Sequence, residues 1–102
     1  MIAKQTKTTK KINLVCQARL KKYFSITEEA LKMAEKSINK DKEKEAKEII
    51  DMVKNYISDA KHFQSQGHYV NAFACINYAH GWLDSGARLR IFNVKDSKLF
   101  TV

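Results

Sequence analysis

Residues 69–91 read YVNAFACINYAHGWLDSGARLRI, and the fold is decided by how this stretch distributes its apolar side chains. Tyr69, Ala72, Ile76, Ala79, Leu83 and Ala87 recur at steps of three and four, the spacing of one helix face. Phe73 and Cys75 lie beside that line, and Tyr78, Trp82 and Leu89 occupy a flank. The apolar arc therefore exceeds half the circumference, and a helix of that kind must be covered on more than one side. The rest of the chain has to supply the cover.

Two further stripes are present. One runs Ile12, Cys16, Leu20, Tyr23/Phe24, Thr27, Leu31, Ala34, Ile38, in phase for about seven turns, with Thr8 or Thr9 placed to cap it. Ser25-Ile26-Thr27-Glu28 also fits a capping box, but the unbroken phase across it predicts a continuous helix. The other stripe runs Ala46, Ile50, Val53, Ile57, Ala60, Gln64. Asn39-Lys40-Asp41 separates the two, with Asn39 suited to a left-handed helix end and Asp41 to capping the second helix. Glu28–Lys32 and Glu43–Lys47 have helical ion-pair spacing. Gly67 supplies the second stop. With no proline in 102 residues, the expectation is an all-α, up-down-up three-helix bundle with helices near 10–38, 41–66 and 68–91. Residues 1–11 form a basic N-terminal arm, 12–93 the bundle, and 94–102 a short apolar tail that packs on the bundle or on a partner.

Charge is distributed unevenly. Lys4, Lys7, Lys10, Lys11, Arg19, Lys21 and Lys22 precede the first acid, so seven of the net eight positive charges lie in the first 22 residues. Such a segment either grips phosphate, RNA above all, or is a solvated terminus. No window of about 18 apolar residues is present, so no membrane span is expected. Met1-Ile2-Ala3-Lys4 runs into polar sequence, which predicts no secretory signal, and two cysteines 59 positions apart make no disulfide framework. A cytoplasmic protein is the expectation.

Asn77, His80, Asp84 and Arg88 form a polar line beside the core of the third helix, with Trp82 on the neighbouring flank. This line is either a partner-binding site in which Asp84 orients His80 or a network that sets how the helix packs. Catalysis would need a nucleophile in reach of His80, and none is apparent; Cys75 stands roughly 140° away around the axis. Cys16 and Cys75 are expected in the core, as small hydrophobes. His62, His68 and His80 share no face, so no metal, cofactor or catalytic site is expected. Ala74, Gly81 and Ser85 make a stripe of small residues opposite the core line, either a seam for another backbone or an unconstrained face.

The run Gly67 to Leu89, together with Ile26-Thr27-Glu28-Glu29-Ala30-Leu31 and the ending Val94 to Val102, resembles a family of short archaeal proteins catalogued as domain of unknown function 357. The resemblance covers about residues 19–102 and implies a three-helix bundle of no assigned activity. Gly67-His68-Tyr69 with Ala72, Tyr78 and Ala79 is also similar to one tetratricopeptide-type helix, though a single hairpin builds no array. Small helical toxin-type ribonucleases share the pattern, but neither Arg88 nor Arg90 is followed by their histidine, so no nuclease is expected. The expected role is a non-enzymatic interaction module whose partner is a second copy, as a homodimer, or another protein. The alternative is nucleic-acid association through the basic arm.

Overall fold

In the computed structural model the fold is described for residues 2–100 and the side chains for residues 17–100. Three helices form: α1 over Ile2–Lys36, α2 over Glu43–Ser65 and α3 over Tyr69–Arg88, with a single 3-10 turn at Lys40–Lys42 between the first two. The helices run up, down and up. Glu35 meets Lys54 at 3.5 Å and Glu28 meets Lys61 at 3.1 Å, so α1 and α2 are antiparallel. Tyr23 packs edge-on against Phe73 and Thr27 reaches His80, so α1 and α3 are parallel.

The buried residues follow the apolar stripes. Leu20, Phe24, Thr27, Leu31 and Ala34 of α1 are buried, as are Ala46, Ile50, Val53, Ile57 and Ala60 of α2, and Ala72, Ile76, Ala79, Leu83 and Ala87 of α3. The bundle is not symmetric. α3 packs extensively on α2 and, on a second side, on α1, whereas α1 and α2 meet at few points. The widest apolar arc is thus the central helix. Ile91, Phe92, Leu99 and Phe100 are also buried in this core, so the chain after α3 covers part of what the helices leave open.

Four local features differ from the periodicity. Helix α1 begins at Ile2 rather than near residue 10, with Thr8 and Thr9 inside it; no glycine or proline interrupts the segment. It ends at Lys36, because Ile38 leaves the helix to form an antiparallel bridge with Phe92. That bridge holds Asn39 in an extended conformation rather than a left-handed one. Asn39 itself is the cap: its Oδ1 accepts from the Asp41 N–H at 3.0 Å. Glu28, finally, pairs with Lys61 of α2, a cross-helix contact that helical spacing alone does not reveal.

Both C-terminal helix ends close with the same hydrogen-bond pattern. His68 N–H donates to Phe63 O and Gly67 N–H to Gln64 O, with Gly67 at φ 76°. At the end of α3, Ile91 N–H donates to Gly86 O and Arg90 N–H to Ala87 O. There the left-handed residue is Arg90, at φ 59°. A side chain in that conformation costs about 1 kcal/mol relative to glycine.

Gly86 and Gly81 give the packing a direct test. A Cβ on Gly86 would stand 2.5 Å from Phe92 Cε2 and 2.6 Å from Cδ2, and Phe92 is fully buried. A Cβ on Gly81 meets nothing within 4 Å. The same glycine-to-alanine change therefore has opposite signs at these two positions of one helix. Gly81→Ala raises stability by about 1 kcal/mol through helix propensity, whereas Gly86→Ala lowers it by about 2 kcal/mol through overpacking. Urea denaturation of the two variants checks both.

Candidate functional site: a polar groove and an aromatic face on α3

The face of α3 turned to α1 carries the polar line. Thr27 is buried to 2% exposure, and its hydroxyl lies 3.1 Å from His80 Nδ1. His80 Nε2 faces Asp84 Oδ1 at 3.7 Å, one turn along, a separation too long for a hydrogen bond. Tyr23, Ile26, Asn77 and Gly81 complete a groove of about 270 Å³. Asn77 is exposed at its rim. Sequence spacing marks His80 and Asp84 as neighbours; Thr27 joins them only because α1 lies parallel to α3.

Hydroxyl, imidazole and carboxylate in a row invite comparison with a nucleophile, base and orienting acid. Burial separates the two cases. A nucleophile must meet its substrate, and Thr27 sits at the helix–helix contact. The surrounding N–H groups are mid-helix and bonded to carbonyls one turn back, so they are not aimed at a developing oxyanion. The row links α1 to α3, since the Thr27 hydroxyl reaches His80 only where the two helices hold this register. No buried side-chain polar atom among the described residues lacks a hydrogen-bond partner.

The remaining residues of the line lie apart. Arg88 is exposed, one turn beyond Asp84, where it borders shallow surface with Ser85 and Leu89. Trp82 is 39% exposed on the other flank of α3. There it belongs to a second face, in which Tyr56 of α2 stacks on Tyr78 with ring centroids 5.6 Å apart at 29°. Tyr78 and Leu89 are each 63% exposed, Met52 of α2 is 38% exposed, and Val70 extends the stripe toward the start of α3. Ala74, Gly81 and Ser85 lie exposed among them. The C-terminal segment thus covers part of the apolar arc of α3 and leaves this stripe open.

Cys75 is half-buried at the margin of the core. Burial, reinforced by the Asp59 carboxylate, pushes its thiol above the ordinary value, so at neutral pH it is a protonated, weakly nucleophilic group. Cys16 lies outside the described side chains, as do Lys4, Lys7, Lys10 and Lys11. Arg19, Lys21 and Lys22 are exposed on α1. Among the described residues no three His, Cys, Asp or Glu side chains gather as metal ligands, and no helix is long and apolar enough to cross a membrane.

These features define a small all-α bundle with a central helix, a buried polar contact and an open aromatic stripe. The chain belongs to the family described as Protein of unknown function (DUF357), whose model matches residues 22–92. No curated protein and no solved structure matches it.

The polar contact yields a quantitative expectation. Thr27→Val keeps the shape of the side chain and removes the hydroxyl, so stability falls by about 1 kcal/mol. Asp84→Asn, at a more exposed position, costs less than that. Thermal melts of both variants at pH 7 give the ordering directly.

Proposed function

We propose that the chain is a non-enzymatic, cytoplasmic interaction module that docks the apolar surface of a partner, a second copy of itself or another protein, on the open stripe of α3. The observation that carries this reading is the exposure of Tyr78, Trp82 and Leu89 at one face, together with Met52 and Tyr56 of α2. Aromatic and methionine side chains are enriched at the centres of protein interfaces. Ala74, Gly81 and Ser85 let a partner backbone approach between them, as the empty space above Gly81 illustrates. The polar row on the opposite flank supports the same reading, because it holds the helix that presents the stripe. The protonated Cys75 thiol and buried Thr27 hydroxyl offer no nucleophile to a substrate.

The test uses Val70→Glu with Leu89→Glu, at stripe positions 82% and 63% exposed and outside the aromatic stack. The wild-type chain is expected to show a concentration-dependent mass by light scattering, or to retain a discrete partner from nuclease-treated extract. The double variant loses that association at least tenfold with its melting temperature unchanged. Trp82 is the single tryptophan, so docking also shifts its emission to shorter wavelength. A chain that stays monomeric and retains the same material with or without the two glutamates overturns the reading.

One observation favours a second reading, nucleic-acid association. The bond between Gln17 and Tyr69 sets residue 17 level with the start of α3, so α1 runs from there to Ile2, roughly 22 Å, past the end of its neighbours. That extension and the turn next to it bear Lys4, Lys7, Lys10, Lys11, Arg19, Lys21 and Lys22. Four to six phosphate contacts would give a slope of log affinity against log salt of roughly −3 to −4 on single-stranded RNA. Deletion of residues 1–11 removes four lysines and is expected to flatten that slope while the melting temperature stays constant. Equal binding by both forms in filter assays would end this second reading.

A further inference from the structure

The chain after α3 encloses a concavity of about 470 Å³ that neither reading uses. Three cations line it: Arg88, Arg90 and Lys95. Asn93 adds an amide, and Ala87, Phe92 and Val94 form the apolar wall. No carboxylate lines it. The nearest acid in sequence, Asp96, is engaged elsewhere, its Oδ1 accepting from the Lys98 and Leu99 N–H groups at 2.8 and 3.3 Å. Arg88 stands at the end of α3, one turn beyond Asp84, whereas Arg90 and Lys95 come from the segment after the helix.

We infer that this concavity is a binding site for a small organic phosphate, with the phosphate groups held by Arg90, Lys95 and Arg88 and the apolar part of the ligand against the Phe92–Val94 wall. The volume is within the range of small-molecule sites. Paired guanidinium forks suit phosphate oxygens, and three positive charges match a diphosphate better than a single phosphate.

A basic cluster at a helix C-terminus has a commonplace alternative, compensation of the helix dipole. Here three of the four last-turn carbonyls are already capped by backbone N–H groups. The carbonyls of Ser85, Gly86 and Ala87 accept from the N–H groups of Leu89, of Ile91 and Phe92, and of Arg90. Arg90 also occupies the left-handed position where glycine is the relaxed residue. Strain of that kind at a charged residue lining a cavity points to a use for the side chain.

The backbone around the site is held on both sides. Asn39 donates from its Nδ2 to Arg90 O at 2.8 Å and from its N–H to Ile91 O at 2.9 Å, while Asn93 N–H donates to Ser37 O at 2.7 Å. Little ordering is left to be done on binding. The site also lies at the far end of the bundle from the basic extension of α1, about 28 Å along α3. The two clusters of charge are therefore separable by experiment.

Inorganic pyrophosphate is the probe, titrated into the full chain at low salt and followed by amide NMR shifts. Saturable shifts confined to residues 86–96 are expected, with sub-millimolar affinity. Arg90→Gly should weaken binding at least tenfold while raising the melting temperature by roughly 4 °C, so loss of binding cannot be loss of fold. Lys95→Gln should weaken it several-fold, and deletion of residues 1–11 should leave it unchanged. Three outcomes overturn the proposal: no saturation at about 10 mM pyrophosphate, equal affinity in Arg90→Gly, or an equal loss on deletion of residues 1–11. A single-stranded RNA that displaces pyrophosphate at lower concentration, again through Arg90, overturns the small-ligand assignment in favour of a polynucleotide.

Discussion

The ring of Phe92 rests where a side chain on Gly86 would be, and most of the architecture depends on that approach. Because α3 is apolar around more than half its surface, two helices cannot cover it, and the chain must fold back on its own end. The reversal at Arg90 brings Ile91 and Phe92 under the bundle, and a Cβ at position 86 would force the ring out. Once Phe92 is seated, Ile38 bridges it, Asn39 and Asn93 complete the seam, and the connection between α1 and α2 is placed. That placement sets α1 parallel to α3, in the register that brings Thr27 to His80. The buried polar contact is thus a consequence of how the far end of the bundle closes.

The helices and their buried faces were legible because burial repeats with helical period, and one line of residues per helix accounts for most of the core, the segment after α3 supplying much of the rest. Less legible were features set by partners distant in sequence. Asn39 carries a residue type suited to a left-handed helix end, yet the bridge of Ile38 to Phe92 keeps it extended, and the left-handed position at the end of α3 falls to an arginine. Glu28 has a lysine at helical spacing and pairs instead with Lys61 across the helix contact. Such ion pairs between exposed groups contribute little, so nothing in local spacing favours one partner over the other.

The same distinction runs through the candidate sites. His80 and Asp84 are neighbours on any helix, so their association is readable from spacing; that a threonine of α1 completes the row is not. Arg88 belongs to the line by spacing, but it stands beyond the groove, beside a concavity whose other cations come from the segment after the helix. Trp82 lies one residue from the core position Leu83 and yet contributes to an open face, because the covering tail turns its large side chains, Leu99 and Phe100, into the core rather than over the stripe.

Two local choices run against what stability alone would select. The first is an aromatic stripe left in solvent on the helix that otherwise provides the centre of the core. The second is an arginine held left-handed where glycine would relax the backbone. Elsewhere local preference and tertiary need agree: alanines and branched aliphatics line the helix contacts, glycine sits at the left-handed end of α2, and no buried side-chain polar atom is stranded among the described residues. In a chain of such consistency, these two departures are what the proposed interaction and the proposed anion site would account for. They fall on different surfaces of the same helix, one along its open flank and one at its end. An interaction through the flank and an anion held at the end can therefore coexist, coupled only through the rigid α3 that carries both.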